Sequence, residues 1–219
     1  MARPSFLLST IGRKAAMAVS GILLVGFILA HLAGNLQVFL GPQALNEYAA
    51  WLRALLHGAG IWILRAGLLA AAVVHVLTAW SLTRASHAAR PHDYHRLAND
   101  ASTAASRTMR WGGVTILLFV VYHLMHFTWG NAHPDFIHGD VYHNFVTGFR
   151  QVPASLVYIV ANVALGLHLY HGTWSAARTL GLSHPGHTRT AKIAGAGLGL
   201  IVAAGNIMFP IAVLAGIIR

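Results

Sequence analysis

Five apolar runs, at about 15–39, 58–83, 110–130, 153–178 and 190–217, decide most of what this chain can fold into. A bilayer core about 30 Å thick needs about 20 apolar residues per helix, and each run supplies that length. The expected fold class is therefore an all-α membrane protein, one domain over 1–219 with five transmembrane helices. Composition agrees: 56% of the residues are hydrophobic and 9% are charged, against roughly 25% charged in a soluble domain. A chain this poor in charge cannot cover itself in water. The first run is longer than the 7–15 apolar residues of a signal peptide, and no small-x-small cleavage site follows it, so it is expected to stay as a span. There is no cysteine, which excludes disulfides and thiolate-held metals or iron–sulfur clusters within the chain.

The formal charge of +10 lies mostly between the runs. Arg3, Arg13 and Lys14 precede the first span. Arg84, Arg90, Arg96, Arg107 and Arg110 follow the second, and Arg178, Arg189 and Lys192 follow the fourth. The opposite side carries Arg53, Arg150 and Arg219, with Arg65 just inside the second span. The positive-inside rule then predicts a cytoplasmic N-terminus and an external C-terminus, and no nucleic acid is expected as partner. The connections are short. The longest external one, "NAHPDFIHGDVYHNFVTGFRQ" (131–151), has the aromatic and polar content of an element lying at the interface. Pro153 suits the first turn of the fourth helix. "GAGLGL" (195–200) predicts close packing against another helix, and Pro210 a kink near the outer face.

Histidine is the second anomaly, with fifteen residues against five Asp and Glu. The first four spans each carry it: His31 in "FILAHLAGN", His75 in "AAVVHVLTA", His123 and His126 in "VVYHLMHFT", and His168 and His171 in "LHLYHG". A single buried imidazole is often just bonded to a backbone carbonyl; four successive helices carrying one weaken that reading. Because the spans alternate in direction, His31 and His123 fall in the outer half and His75 and His168 in the inner half. Two pairs at two levels, each from two helices, is the pattern of two haems stacked across a bilayer. Haem iron accepts a neutral imidazole nitrogen on each face, and filling both axial positions favours electron transfer over oxygen chemistry. Small residues at Gly26, Gly34 and Gly172 would leave room for the flat ring, although close helix packing explains them equally well. With a 1.5 Å rise per residue, His123 matches the depth of His31 better than His126 does, and His168 matches His75 better than His171 does. His126 and His171 are then expected to face propionates, a quinone or lipid headgroups. The sets His87/His92/His95, His133/His138/His143 and His184/His187 are expected to be solvated.

Four blocks resemble a known family. "GRKAAMAVSGILLVGFILAHLAGNLQVF" (12–39), "VHVLTAWSLTRASHAARP" (74–91), "FVVYHLMHFT" (119–128) and "LGLHLYHGTWSAARTLGL" (165–182) are similar to the cytochrome b membrane anchor of succinate:quinone oxidoreductases, in its single-chain, five-helix, two-haem b558 branch. The resemblance implies two haem b groups, His31 and His123 on the distal one and His75 and His168 on the proximal one. Gly172, Trp174 and Ser175 match the family's Gly-x-Trp-Ser turn and so assign His168. It also implies a flavoprotein subunit holding the succinate site, an iron–sulfur subunit, a membrane quinone (menaquinone is the expectation) and the inner membrane of a prokaryote. By the same analogy Glu47 is a candidate on the quinone's proton path, and Arg13, Lys14, Arg65 and Arg84 are candidates to pair with propionates.

Three other readings remain open on the sequence. One is the haem anchor of a nitrate reductase or hydrogenase, although "HGTWS" disfavours it. The others are a haem-free transporter with a histidine relay, which usually shows internal repeats or broken helices, and an anchor in which histidines only join helices.

Overall fold

The computed structural model describes Phe6 and residues 9–89, 104–182 and 188–219, with backbone alone at 104–107. Expectations placed on Arg3, Arg90, Arg96, His92, His95, His184 and His187, and on the side chain of Arg107, fall outside these residues. The described residues form helices and turns and no strand. Helix α1 (Thr10–Asn35) starts where the Ser9 hydroxyl accepts the Gly12 N–H at 3.0 Å, a cap that satisfies one of the free first-turn donors. A 3-10 turn, Leu36–Leu40, runs into Gly41. With φ at 103°, Gly41 occupies backbone space that other residues avoid. Pro42 then opens α2 (Pro42–Ala54), where its missing N–H is no loss. The remaining helices are α3 (Ala59–Ala88), α4 (Ala104–Phe127), α5 (Val141–Arg150), α6 (Val152–Thr179) and α7 (Thr188–Leu214).

Among the described residues, five segments are long and apolar enough to cross a membrane: Thr10–Leu40, Pro42–Ala88, Thr108–Phe127, Val152–Thr179 and Thr188–Leu214. The chain is a multi-pass membrane protein. Pro153 lies in the first turn of α6, as expected. Two short helices add to the sequence reading. Of the two connections at the α1 C-terminal end of the bundle, the first contains α2. The second contains α5, which does more than lie at an interface. It buries Phe145, Val146 and Phe149 against Leu32, Val38 and Phe209, so the main apolar core sits at the bundle end carrying α2 and α5. Polar bonds fix this cap. Asn46 on α2 donates to Asp140 at 3.0 Å and accepts the Tyr142 N–H at 3.0 Å. Ser155, wholly buried, donates to the Phe149 carbonyl at 2.6 Å.

Among the long helices, α1 packs on α3, α4 on α6, α1 on α6, and α7 on α6. The α6–α7 seam is the tightest. A Cβ on Gly199 would lie 2.5 Å from the Gly166 carbonyl oxygen, and one on Gly195 2.6 Å from that of Tyr170. Close approach of backbones is what small residues four apart provide between helices in lipid, and it is what "GAGLGL" predicts. By contrast α3 and α4 form no extended contact with each other, nor do the diagonal pairs α1/α4 and α3/α6. From Thr108 to Phe127 only His126 is buried.

Candidate functional site

The diagonals that do not pack are the ones whose histidines meet. On α1 and α4, each four residues before its helix ends, His31 and His123 face one another with ring centres 5.8 Å apart and planes at 89°. On α3 and α6, His75 and His168 meet at 6.2 Å with planes at 62°. Two elements locate the second pair along the bundle. A Cβ on Gly21 of α1 would stand 3.2 Å from His75 Cε1, and one on Gly113 of α4 would stand 3.7 Å from His168 Cε1. Gly21 precedes His31 by ten residues, and Gly113 precedes His123 by ten. At a 1.5 Å rise per residue both helices therefore separate the two levels by about 15 Å.

The hydrogen bonds fix where protons sit. His75 Nδ1 lies 3.1 Å from the Met17 carbonyl oxygen and 3.4 Å from the Ser20 hydroxyl. A carbonyl only accepts, so Nδ1 carries the proton and the bare lone pair is on Nε2. That arrangement, a ring N–H held by a backbone carbonyl, is how a metal-binding imidazole is oriented. His123 Nδ1 is 3.1 Å from the Tyr158 hydroxyl. Neither His31 nor His168 has a hydrogen bond among the described residues, and His168 Nδ1 is fully buried. An apolar cavity of about 60 Å³ lies beside His168, bordered by Met109, Gly112 and Leu167.

Two imidazoles sharing one metal at about 2.0–2.1 Å from each nitrogen place their ring centres roughly 6 Å apart. Both observed spacings meet that requirement. No group of three or more His, Asp or Glu is placed to hold a metal ion among the described residues.

The remaining sequence candidates fall elsewhere. His126, expected at propionates, a quinone or lipid headgroups, is wholly buried. Its Nδ1 is 3.1 Å from the same Tyr158 hydroxyl, and its Nε2 has no partner. Its ring lies between Tyr122, at 5.4 Å, and His133, at 5.1 Å, because the segment after α4 folds back over it. It forms part of the wall of a cleft of about 420 Å³ that also includes Tyr122, Asn131, His133 and Gln151. His133 and His143, expected to be solvated, are engaged. His133 Nε2 donates to the Asn144 carbonyl at 2.8 Å while its Nδ1 accepts the Asp135 N–H at 3.0 Å. His143 pairs with Asp135 at 3.0 Å. His138 is exposed.

His171 stacks edge-on to Trp174 at 5.4 Å, and that indole is shared by the Arg178 and Lys192 cations. Glu47 is exposed on α2, where Gln43 donates to it at 2.8 Å. Arg13 donates to Ser81 at 2.7 Å, and Arg65 lies over Trp62. Gly34, read either as room for a macrocycle or as close packing, admits the Tyr48 ring, which a Cβ would meet at 2.7 Å. Gly26 has open space and Gly172 only an ordinary contact with Met109. The sequence reading did not single out Gly21, Gly113, Met17 or Tyr158. A phenol ten residues before His168, on the same helix, was the one visible signal.

Comparison with models of known protein families, with curated proteins and with solved structures finds no match to this chain.

Proposed function

We propose that this protein is a two-haem cytochrome b membrane subunit that passes electrons between a water-soluble partner and a membrane quinone, most closely the anchor of a succinate:quinone oxidoreductase. The observation that carries the reading is the meeting of imidazoles across helix diagonals that do not otherwise pack, twice, about 15 Å apart along the bundle. Histidines serving only as joints between helices would sit where the helices touch. The spacing of each pair suits a shared metal, and the resemblance of the four sequence blocks gives the partner class: a flavoprotein and an iron–sulfur subunit on the cytoplasmic side.

In this reading haem b, when bound, supplies reversible one-electron exchange. His31 and His123 hold one group, and His75 and His168 the other. The Met17 carbonyl keeps the proton of His75 on Nδ1, leaving Nε2 free to ligate. Gly21 lets α1 lie close to the His75 ring of α3, and Gly113 lets α4 lie close to the His168 ring of α6, without side chains in the way. The N-terminus lies in the cytoplasm, on the side of the basic connections.

The test is the optical spectrum and haem content of the purified chain, then of His31→Ala, His75→Ala, His123→Ala and His168→Ala. The expected result is two b-type haems per chain and loss of a specific one with each substitution, the same one for both members of a pair. A purified chain without a reducible haem band, or a His171→Ala variant that loses the haem His168→Ala keeps, would overturn the assignment.

A further inference from the structure

Trp174 gathers two cations and holds an idle donor. The Arg178 guanidinium carbon lies 5.1 Å from the centre of its ring and the Lys192 ammonium 5.4 Å, within the roughly 6 Å over which a ring face attracts a cation. The indole Nε1 is buried and has no hydrogen-bond partner, and a buried donor left unpaired costs free energy. Setting topology needs charge at this end of the bundle, not two charges gathered on one ring. The cations come from different helices, Arg178 as the last residue but one of α6 and Lys192 as the fifth of α7. The seam between them is closed by backbone: a Cβ on Gly195 would lie 2.6 Å from the Tyr170 carbonyl oxygen and 3.5 Å from Thr173 Cβ. The helix ends that carry the two charges are therefore fixed beside each other.

Like charges so placed repel, and no acid among the described residues offsets them. Arg178 and Lys192 enter no hydrogen bond or ion pair there. The described acids, Glu47, Asp135 and Asp140, all lie at the α2–α5 end, and the first turn of α7 holds none. Along α6 from the ring runs an apolar track. Val160, Val163 and Leu167 are exposed, and with Trp174 and Arg178 they keep the three- and four-residue spacing of one helix face. From Val163 to Trp174 the track is about 16 Å long, close to half of a bilayer core about 30 Å thick. We propose that this end of the α6–α7 seam is a site for an anionic phospholipid, its phosphate held by Arg178, Lys192 and the Trp174 N–H. A phosphate supplies both the negative charge that the cations lack and the acceptor that the indole lacks. The track gives acyl chains a place to lie, which favours a lipid over free inorganic phosphate. Basic pockets between spanning helices take anionic headgroups in this way.

The experiment is native mass spectrometry of the full chain, stripped of lipid and titrated with phosphatidylglycerol or phosphatidylcholine in detergent micelles. Phosphatidylglycerol should bind the tighter. Arg178→Gln and Lys192→Gln should each weaken it about fivefold, the worth of one basic residue at a charged membrane surface, and leave phosphatidylcholine unchanged. Trp174→Phe, which keeps a ring beneath the cations but removes the N–H, should weaken it too. Arg53→Gln, on α2 at the other end of the bundle, should not. Equal binding of the two lipids, or an unchanged preference in both glutamine variants, would overturn the proposal. Displacement of phosphatidylglycerol by inorganic phosphate would make free phosphate the ligand and overturn the lipid assignment. Loss of a co-purifying acidic protein from both glutamine variants, with lipid binding unaltered, would give the cations to a protein neighbour and overturn it equally. The measurement needs no bound haem, so its outcome is separate from that of the preceding reading.

Discussion

Gly21→Val should injure one level of the bundle and spare the other. A Cβ at this position already stands 3.2 Å from His75 Cε1 and 3.5 Å from its Nδ1, and valine adds two methyl groups beyond it. The ring must move, and with it the 3.1 Å bond to the Met17 carbonyl. Overpacking of this kind costs about 1–3 kcal/mol, and loss of the hydrogen bond adds about 1 kcal/mol. Gly21→Ala is the calibrating variant: its tight contact is offset by about 1 kcal/mol of better helix propensity, so stability stays near wild type. The other imidazole pair lies about 15 Å away, beyond the 7–10 Å over which substitutions usually couple. The assay is thermal unfolding by circular dichroism in detergent, together with haem content. Gly21→Val should unfold earlier and, on the proposed two-haem reading, lose the haem assigned to His75 and His168 while retaining that assigned to His31 and His123. Gly26→Val, at a position with no atom within reach of a Cβ, is the control. Equal behaviour of the two valine variants, or loss of both haems from Gly21→Val, would refute the reasoning.

Gly199→Val should cost more than the usual 1–3 kcal/mol of overpacking, because the atom it meets is the Gly166 backbone; Gly197→Val, facing open space, should leave the unfolding temperature unchanged. Ser155→Ala strips the donor from the buried Phe149 carbonyl and should cost about 1–3 kcal/mol, seen as faster hydrogen exchange where α5 joins α6. Asp140 caps α5, and the His143 N–H followed by the Asn46 amide holds its carboxyl below the ordinary range. The stabilisation is therefore complete above the ordinary value of about 3.9 and lost as pH falls through the lower folded-state value. Asp140→Ala should cost about 1 kcal/mol at neutral pH, with the gap in α5 amide exchange closing in acid.

The spans, their number and the one-histidine-per-helix pattern were legible because each is a property of contiguous residues: apolar length, and position along a helix of known rise. The pairing of His31 with His123 and of His75 with His168 followed from depth alone, and the rings do meet in those combinations. The surroundings of His126 were not legible in the sequence, for a physical reason. Depth fixes height along a helix but says nothing of what folds back over the end, and here the segment carrying His133 covers it. Gly34 meets the same limit: the sequence left room for a macrocycle and close packing equally open, and the structure shows close packing. A glycine marks a close approach without naming what approaches, and the approaching group is Tyr48 of α2.

The sequence by itself determined that five segments are long and apolar enough to cross a membrane and that imidazoles stand at two heights in four of them, because bilayer thickness converts residue number into depth. Which helices pack, which diagonals stay apart and where each proton rests were decided only in three dimensions. A carbonyl from α1 sets the tautomer of His75, and a phenol from α6 joins two rings of α4. Those bonds link residues 32 to 58 positions apart, a relation that no local pattern along the chain encodes.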